Sequence, residues 1–206
     1  MAETRELTQQ YERAAGRWRD KMRVLGYYDG YLGFLSSPGQ RPEKEVDVID
    51  MGAGTGAFAE AWVAVNGAPR SMTLVEPSGS MLARGVAALE ARGVLPVAVE
   101  DGLGGPAVPK ECDELLVAHV IEHFDDTSDA LRQMRALMRP GGVLRLVVSK
   151  PHWCNAIIWF QWRHRTFRKD EIFELLRQAN FEPEMEYTFP FGPPSRTSRG
   201  IVARAV

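Results

Sequence analysis

The segment Val46-Asp-Val-Ile-Asp50-Met-Gly-Ala-Gly-Thr-Gly56-Ala-Phe restricts the fold more than any other part of the chain. A β-branched run feeds a turn with glycine at every second position, and an apolar helical pattern follows at once. Gly52, Gly54 and Gly56 carry no Cβ, so the backbone can turn tightly and a ligand can approach it closely. Amides exposed at the start of the next helix favour electron-rich groups. The loop also satisfies G-x-G-x-x-G/A through Gly52, Gly54 and Ala57, so a dinucleotide site stays open. Glu76 stands 20 residues beyond Gly56, at the end of a second apolar run. A carboxylate there can accept both hydroxyls of a ribose, whether in NAD or in any other adenosine cofactor.

The remaining pattern repeats this unit. Strands are predicted at Val46–Asp50, Met72–Val75, Val94–Val99, Leu115–Val120 and Val143–Val148. Helices are predicted at Ala57–Asn66 (ended by Gly67), Ser80–Arg92 (ended by Gly93) and Thr127–Met138, the last stopped by Arg139-Pro-Gly-Gly142. Such alternation implies a doubly wound, mostly parallel α/β sheet with helices on both faces. Pro96 inside the third strand places that strand at an edge, because proline cannot donate to the ladder. Residues 4–34 read as helices, with Tyr27, Tyr28, Tyr31 and Phe34 as an aromatic cluster. The loop at residues 36–42 separates them from the rest. After residue 150 an aromatic segment, a helix at Lys169–Gln178 and two closing strands at Glu184–Phe189 and Gly200–Ala205 break the alternation. The closing strands are expected to pair antiparallel across a Gly192-Pro-Pro-Ser-Arg-Thr-Ser loop.

Composition narrows the function classes. The chain has 206 residues, with 25 Lys plus Arg against 27 Asp plus Glu, a formal charge of −2. That argues against general nucleic-acid binding, which needs a strongly basic surface. The charge is uneven, however. Residues 139–206 carry +5 and residues 1–138 carry −7, so the C-terminal third could steer an anionic substrate or touch an anionic membrane surface weakly. Cys112 and Cys154 have neither a disulfide framework nor zinc spacing and read as buried small apolar groups. With a charged N-terminus and no apolar run near the ~20 residues that span a bilayer, no stable membrane insertion is expected, and the expected location is cytoplasmic.

The motifs taken in order resolve the glycine loop's ambiguity. Asp50-Met-Gly-Ala-Gly-Thr-Gly56, Leu74-Val-Glu-Pro-Ser78, Val99-Glu-Asp-Gly102, Ala118-His-Val-Ile-Glu-His-Phe124 and Leu137-Met-Arg-Pro-Gly-Gly-Val-Leu144 resemble the class I S-adenosylmethionine-dependent methyltransferases. The resemblance covers residues 45–150 well and the later segments more loosely. It implies one domain with a seven-stranded sheet of order 3-2-1-4-5-7-6. Residues 1–42 would be a helical cap, 43–150 the cofactor-binding core and 151–206 the substrate segment and closing strands. It further implies that Gly52, Gly54 and Gly56 line the methionine end and sugar of the cofactor. Asp50 would anchor the first turn, Glu76 hold the ribose hydroxyls and Met81 pack on adenine. Asp101, with Gly102 beside it, would meet the adenine amine, although adjacent Glu100 is an equal candidate. Tyr11 and Trp18 resemble a covering N-terminal helix.

The resemblance leaves the acceptor open. A methyl acceptor that bears a proton needs a base, and all four histidines follow strand four or strand five, at the ends that face the reacting centre in this fold. His119 is the first choice, His152 the second and His164 the third, while His123 reads as structural. Trp153, Trp159 and Arg163 are candidate acceptor contacts, since aromatic surfaces suit flat or apolar ligands and arginine suits an anionic group. No carboxylate–histidine cluster near strand four points to a metal. The expected reaction is methyl transfer from S-adenosylmethionine to a small molecule, leaving S-adenosylhomocysteine, with oxygen slightly favoured as the acceptor atom. The rivals are a nicotinamide-dependent oxidoreductase and a non-catalytic cofactor-binding partner subunit. Oligomeric state is not legible.

Overall fold

Each apolar run read from the sequence becomes a strand of one sheet. The structure is a computed structural model that describes residues 20–37, 42, 45–152 and 165–206. Its strands are β1 (Asp47–Met51), β2 (Ser71–Val75), β3 (Val97–Val99), β4 (Cys112–Ala118), β5 (Met138–Ser149), β6 (Phe181–Tyr187) and β7 (Ser198–Ala205). They lie in the order β3-β2-β1-β4-β5-β7-β6, as expected. β1 to β5 are parallel, and β7 runs antiparallel between β5 and β6. The order reverses between β1 and β4, which opens a crevice beyond their carboxyl ends, the usual ligand position in such sheets.

Among the described residues, the sheet is flanked by α1 (Tyr27–Leu35), α2 (Ala57–Asn66), α3 (Gly79–Glu90), α4 (Thr127–Arg135), α5 (Lys169–Gln178) and the short α6 (Gly192–Thr197). Local chemistry sets their ends. Gly56 and Gly67 bound α2 at φ 75° and 87°, the left-handed region open to glycine. The Ser78 hydroxyl accepts from Met81 N to begin α3, and Asp126 accepts from Asp129 N to begin α4. Strand alternation then sends Ile49, Leu115, Val117, Leu144 and Leu146 against α4 and α5. Val48, Met72, Leu74, Leu116 and Val147 meet α1, α2 and α3 on the other face. Trp62 on α2 is 1% exposed there, and its Nε1 donates to Glu114, which also pairs with buried Arg145 at 2.7 Å.

Three expectations change. Pro96 lies just before β3, not inside it, although β3 is an edge strand as the proline suggested. Arg139-Pro-Gly-Gly142 does not separate α4 from β5: α4 ends at Arg135, and β5 already begins at Met138, paired with Cys112 across a register shift. The expected closing loop contains α6, whose first turn takes Pro193 and Pro194 because their fixed φ suits a helix start. No helix among the described residues is long and apolar enough to cross a membrane.

Candidate active site

The glycine turn is tied to β2 from both sides. Gly52 N and Ala53 N donate to Val75 O at 2.8 and 3.0 Å, and Gly54 N donates to Glu76 Oε2 at 2.9 Å. Glu76 Oε1 accepts from Ser78 N at 2.9 Å, so one carboxylate joins the turn to the start of α3. Burial pushes the Glu76 carboxyl above its usual range, and these two amides partly oppose that shift.

The three glycines have different reasons to be glycine. All lie at positive φ. A Cβ on Gly52 would come within 2.5 Å of Val120 Cγ2, and one on Gly56 within 2.8 Å of Gly85 Cα on α3. Both are therefore packing positions. Among the described residues, a Cβ on Gly54 would meet nothing within 4 Å, and the Glu76 carboxylate lies beside this position.

Asp50 lies on β1 beneath the turn and is 1% exposed. Its Oδ2 accepts from Ala59 N at 3.1 Å, which ties β1 to the first turn of α2. Burial pushes its carboxyl up to about 8, against the Ala59 hydrogen bond and with a smaller contribution from Glu76. Met81 is buried on the first turn of α3. Beyond β3, Glu100 and Asp101 part company. The Glu100 carboxylate lies over Gly79 at the start of α3, where a Cβ would come within 2.9 Å of it. Asp101 accepts from Gly102 N at 2.7 Å and covers Gly105.

His119 stands just past the tip of β4 in the left-handed region, at φ 57°. The next residue, Val120, is the one that packs on Gly52, so the histidine adjoins the glycine turn. Its ring is bracketed by three elements. Nδ1 lies 3.2 Å from Ser149 Oγ and 3.4 Å from Glu122 Oε1, and Nε2 lies 3.4 Å from Ser198 Oγ. Ser149 and Ser198 are register partners across β5 and β7, which is why two hydroxyls converge on one ring. The edge of Tyr27 packs on it at 5.7 Å between centroids, and the Tyr27 hydroxyl reaches Thr197 Oγ1 at 3.0 Å. Tyr31 is buried beside Tyr27 and Phe58, and burial raises its hydroxyl far above the usual range, with Tyr27, Asp50 and Glu122 adding to the shift.

Other expected residues fall differently. His152 is half-buried just past β5. His123 is part of the single 3₁₀ turn Ile121–His123, and burial lowers its pKa. Cys112 is buried, as expected, and burial pushes its thiol up to about 12. Arg165 is held by Thr127 and Glu171, and Arg199 by Glu186, so these guanidinia have protein partners. Tyr11, Trp18, Trp153, Cys154, Trp159, Arg163 and His164 lie outside the described residues. Sequence reasoning missed Glu122, Ser149, Thr197 and Ser198. The His-x-x-Glu spacing is the one signal that could have exposed Glu122, because three residues make one turn of a 3₁₀ helix.

A doubly wound sheet of this order, with a glycine turn and a carboxylate at the switch point, is the architecture of a class I methyltransferase. The family described as "Methyltransferase domain" matches residues 4–186. The chain belongs to it, and with it to the S-adenosylmethionine-dependent methyltransferases; the oxidoreductase reading of the loop is set aside. The ubiquinone/menaquinone biosynthesis C-methyltransferase of Laribacter hongkongensis is 31% identical over 120 residues, 58% of this chain and 48% of that protein. The chain thus spans about half the length of this curated relative. Two solved structures share the fold. The 1,6-didemethyltoxoflavin-N1-methyltransferase of Burkholderia thailandensis, with S-adenosylhomocysteine bound, is 20% identical. It superposes with a TM-score of 0.74 over 97% of this chain and 87% of its own. A mitomycin 7-O-methyltransferase is 18% identical, with a TM-score of 0.73 over 98% of this chain and 60% of its own.

Proposed function

We propose that the chain transfers a methyl group from S-adenosylmethionine to a proton-bearing heteroatom, with a hydroxyl favoured, on a small aromatic or apolar acceptor. The observation that carries this is the position of His119: a bracketed imidazole at the tip of β4, one residue from the side chain that packs on the glycine turn. The relatives' names record transfer to carbon, N1 and 7-O, so the fold itself does not choose the atom. A base in this place favours an acceptor that must lose a proton.

The residues present fit the donor. Gly54 leaves open backbone beside Glu76, whose carboxylate has capacity left after two amide bonds to take a ribose diol. Asp50 would lie beneath the turn on the side of the donor's cationic group, and Met81, Asp101 and Gly102 would bound the adenine. When bound, S-adenosylmethionine supplies an electrophilic methyl on a sulfonium that leaves as a neutral thioether. Tyr27 and Tyr31 provide an aromatic wall on the acceptor side, which excludes water and suits a flat ring. His119 takes the acceptor's proton as the new bond to the methyl forms.

The reading is tested in two stages. Calorimetry with S-adenosylhomocysteine should show saturable binding to one site, and incubation of radiolabelled donor with extract of the source organism should yield a small labelled product. Cofactor saturation with no labelled small molecule, together with a stable complex with another protein, would instead identify a partner subunit.

A further inference from the structure

We infer that Glu122 is a positioning residue that fixes His119 with its proton on Nδ1, leaving the Nε2 lone pair for the acceptor's proton. This rests on the reading of His119 as the base. Glu122 is 3% exposed and sits under His119 because Ile121–His123 forms one 3₁₀ turn. Its Oε1 has two neighbours, Ser149 N at 2.7 Å and His119 Nδ1 at 3.4 Å. Oε2 is buried with no hydrogen-bond partner among the described residues. A buried carboxylate oxygen without a donor costs about 1–3 kcal/mol or more, so its retention asks for a reason. A second cost lies next to it. His119 holds φ 57°, a conformation about 1–2 kcal/mol unfavourable for a residue with a Cβ. Together they describe a backbone held in an uncommon conformation beside a buried carboxylate with one oxygen unsatisfied, the kind of local cost that persists at functional sites.

The two faces of the imidazole differ in what they meet. Nδ1 faces a carboxylate, which can only accept, and the Ser149 hydroxyl. Nε2 faces the Ser198 hydroxyl, which can donate to it or turn to Thr197 Oγ1 at 3.3 Å and leave the Nε2 lone pair open. Thr197 Oγ1 spends its proton on Pro193 O at 2.9 Å and so accepts from Tyr27. Burial works to raise the Glu122 carboxyl, but His119 and the Ser149 amide outweigh it and hold the group below the usual range. The carboxylate is therefore present to receive Nδ1–H. As methyl transfer proceeds, the acceptor atom X gains its bond to carbon and loses its bond to hydrogen. The X–H pair stays on X and the proton goes to Nε2. The resulting imidazolium has its charge beside Glu122.

The test is long-range ¹H–¹⁵N correlation spectroscopy of the full chain with imidazole-¹⁵N histidine, with and without S-adenosylhomocysteine. The His119 signals should show a protonated Nδ1 and an unprotonated Nε2. In Glu122→Leu, which leaves no carboxylate facing Nδ1, the Nδ1–H preference should be lost, with Nε2–H signals gaining intensity. Ser198→Ala should keep Nδ1–H and shift only Nε2, as its donor is removed. An Nε2–H tautomer in the wild type overturns the inference, and so does a Glu122→Leu spectrum that matches wild type. Should Glu122→Leu fail to fold, the wild-type tautomer and Ser198→Ala decide alone. Calorimetry separates the outcomes: absence of S-adenosylhomocysteine binding would remove the methyltransferase reading, while the tautomer result is read without turnover.

Discussion

The two ends of the sheet use the same residue types to opposite effect. At the amino-terminal end Asp47 and Asp113 meet Arg70 and Arg139, with Arg139 at 2.7 Å from Asp113 and 3.2 Å from Asp47. The Arg70 guanidinium holds the Asp47 carboxyl well below the usual range; Asp113 is lowered too, its burial outweighed by the Asp47 amide and Arg139. At the carboxyl end Asp50 and Glu76 receive, among the described residues, only backbone amides and are pushed up by burial. Asp47 and Asp50 sit on one short strand. The first group is neutralised by the protein itself, whereas the second is left short of positive charge. Buried carboxyls perturbed in that second way cluster at functional sites.

The contrast can be broken most severely at Glu76. Glu76→Ala should weaken S-adenosylhomocysteine binding by about 2–4 kcal/mol, roughly 30- to 1,000-fold, since hydrogen bonds to a charged group contribute about 1.5–3 kcal/mol each. Calorimetry showing unchanged affinity would mean the ribose contact is misplaced. The glycines come next. Gly56→Ala should cost about 2–4 kcal/mol in urea denaturation, combining overpacking against Gly85 with left-handed strain. Gly54→Ala should cost only the strain, about 1–2 kcal/mol, and show its main loss in ligand affinity. Equal stability losses would erase the distinction between packing and ligand-facing glycines.

Titration sharpens the comparison further. Asp50, raised in the fold to about 8, favours the folded state below its unfolded value of about 4. That contribution is lost as pH rises toward 8, with a slope of at most about 1.4 kcal/mol per pH unit. Denaturation midpoints of Asp50→Asn should therefore gain on wild type between pH 4 and 8. Asp47 has the opposite sign: wild type should lead Asp47→Asn above about pH 4 and lose that lead as acid protonates the carboxylate. The smallest effect is expected from Arg139→Ala, which should leave S-adenosylhomocysteine affinity within about twofold, because the group sits at the far end of the sheet.

Legibility follows the range over which each feature is determined. The glycine turn, α2 at Ala57–Asn66 and α5 at Lys169–Gln178 depend on neighbours within a few residues, and their sequence boundaries held. The order of strands came from the family resemblance, and the proline before β3 agreed with its edge position. β5 was read too short because Pro140 and Gly141 signal a turn, although the ladder with β4 carries the strand across them. The His119 bracket was illegible for a different reason. Ser149 lies 30 positions and Ser198 79 positions away in the chain, and only the β5–β7 register brings them together.

That register also orders events during synthesis. The donor-side turn and Glu76 belong to the first two strands and can close on each other while much of the chain is still unmade. The acceptor side cannot, because β7 must thread antiparallel between β5 and β6 before Ser198 reaches His119. Such non-local pairing comes late in folding. In a nascent chain of this fold the turn around Glu76 can therefore begin to form well before the bracket around His119 is complete.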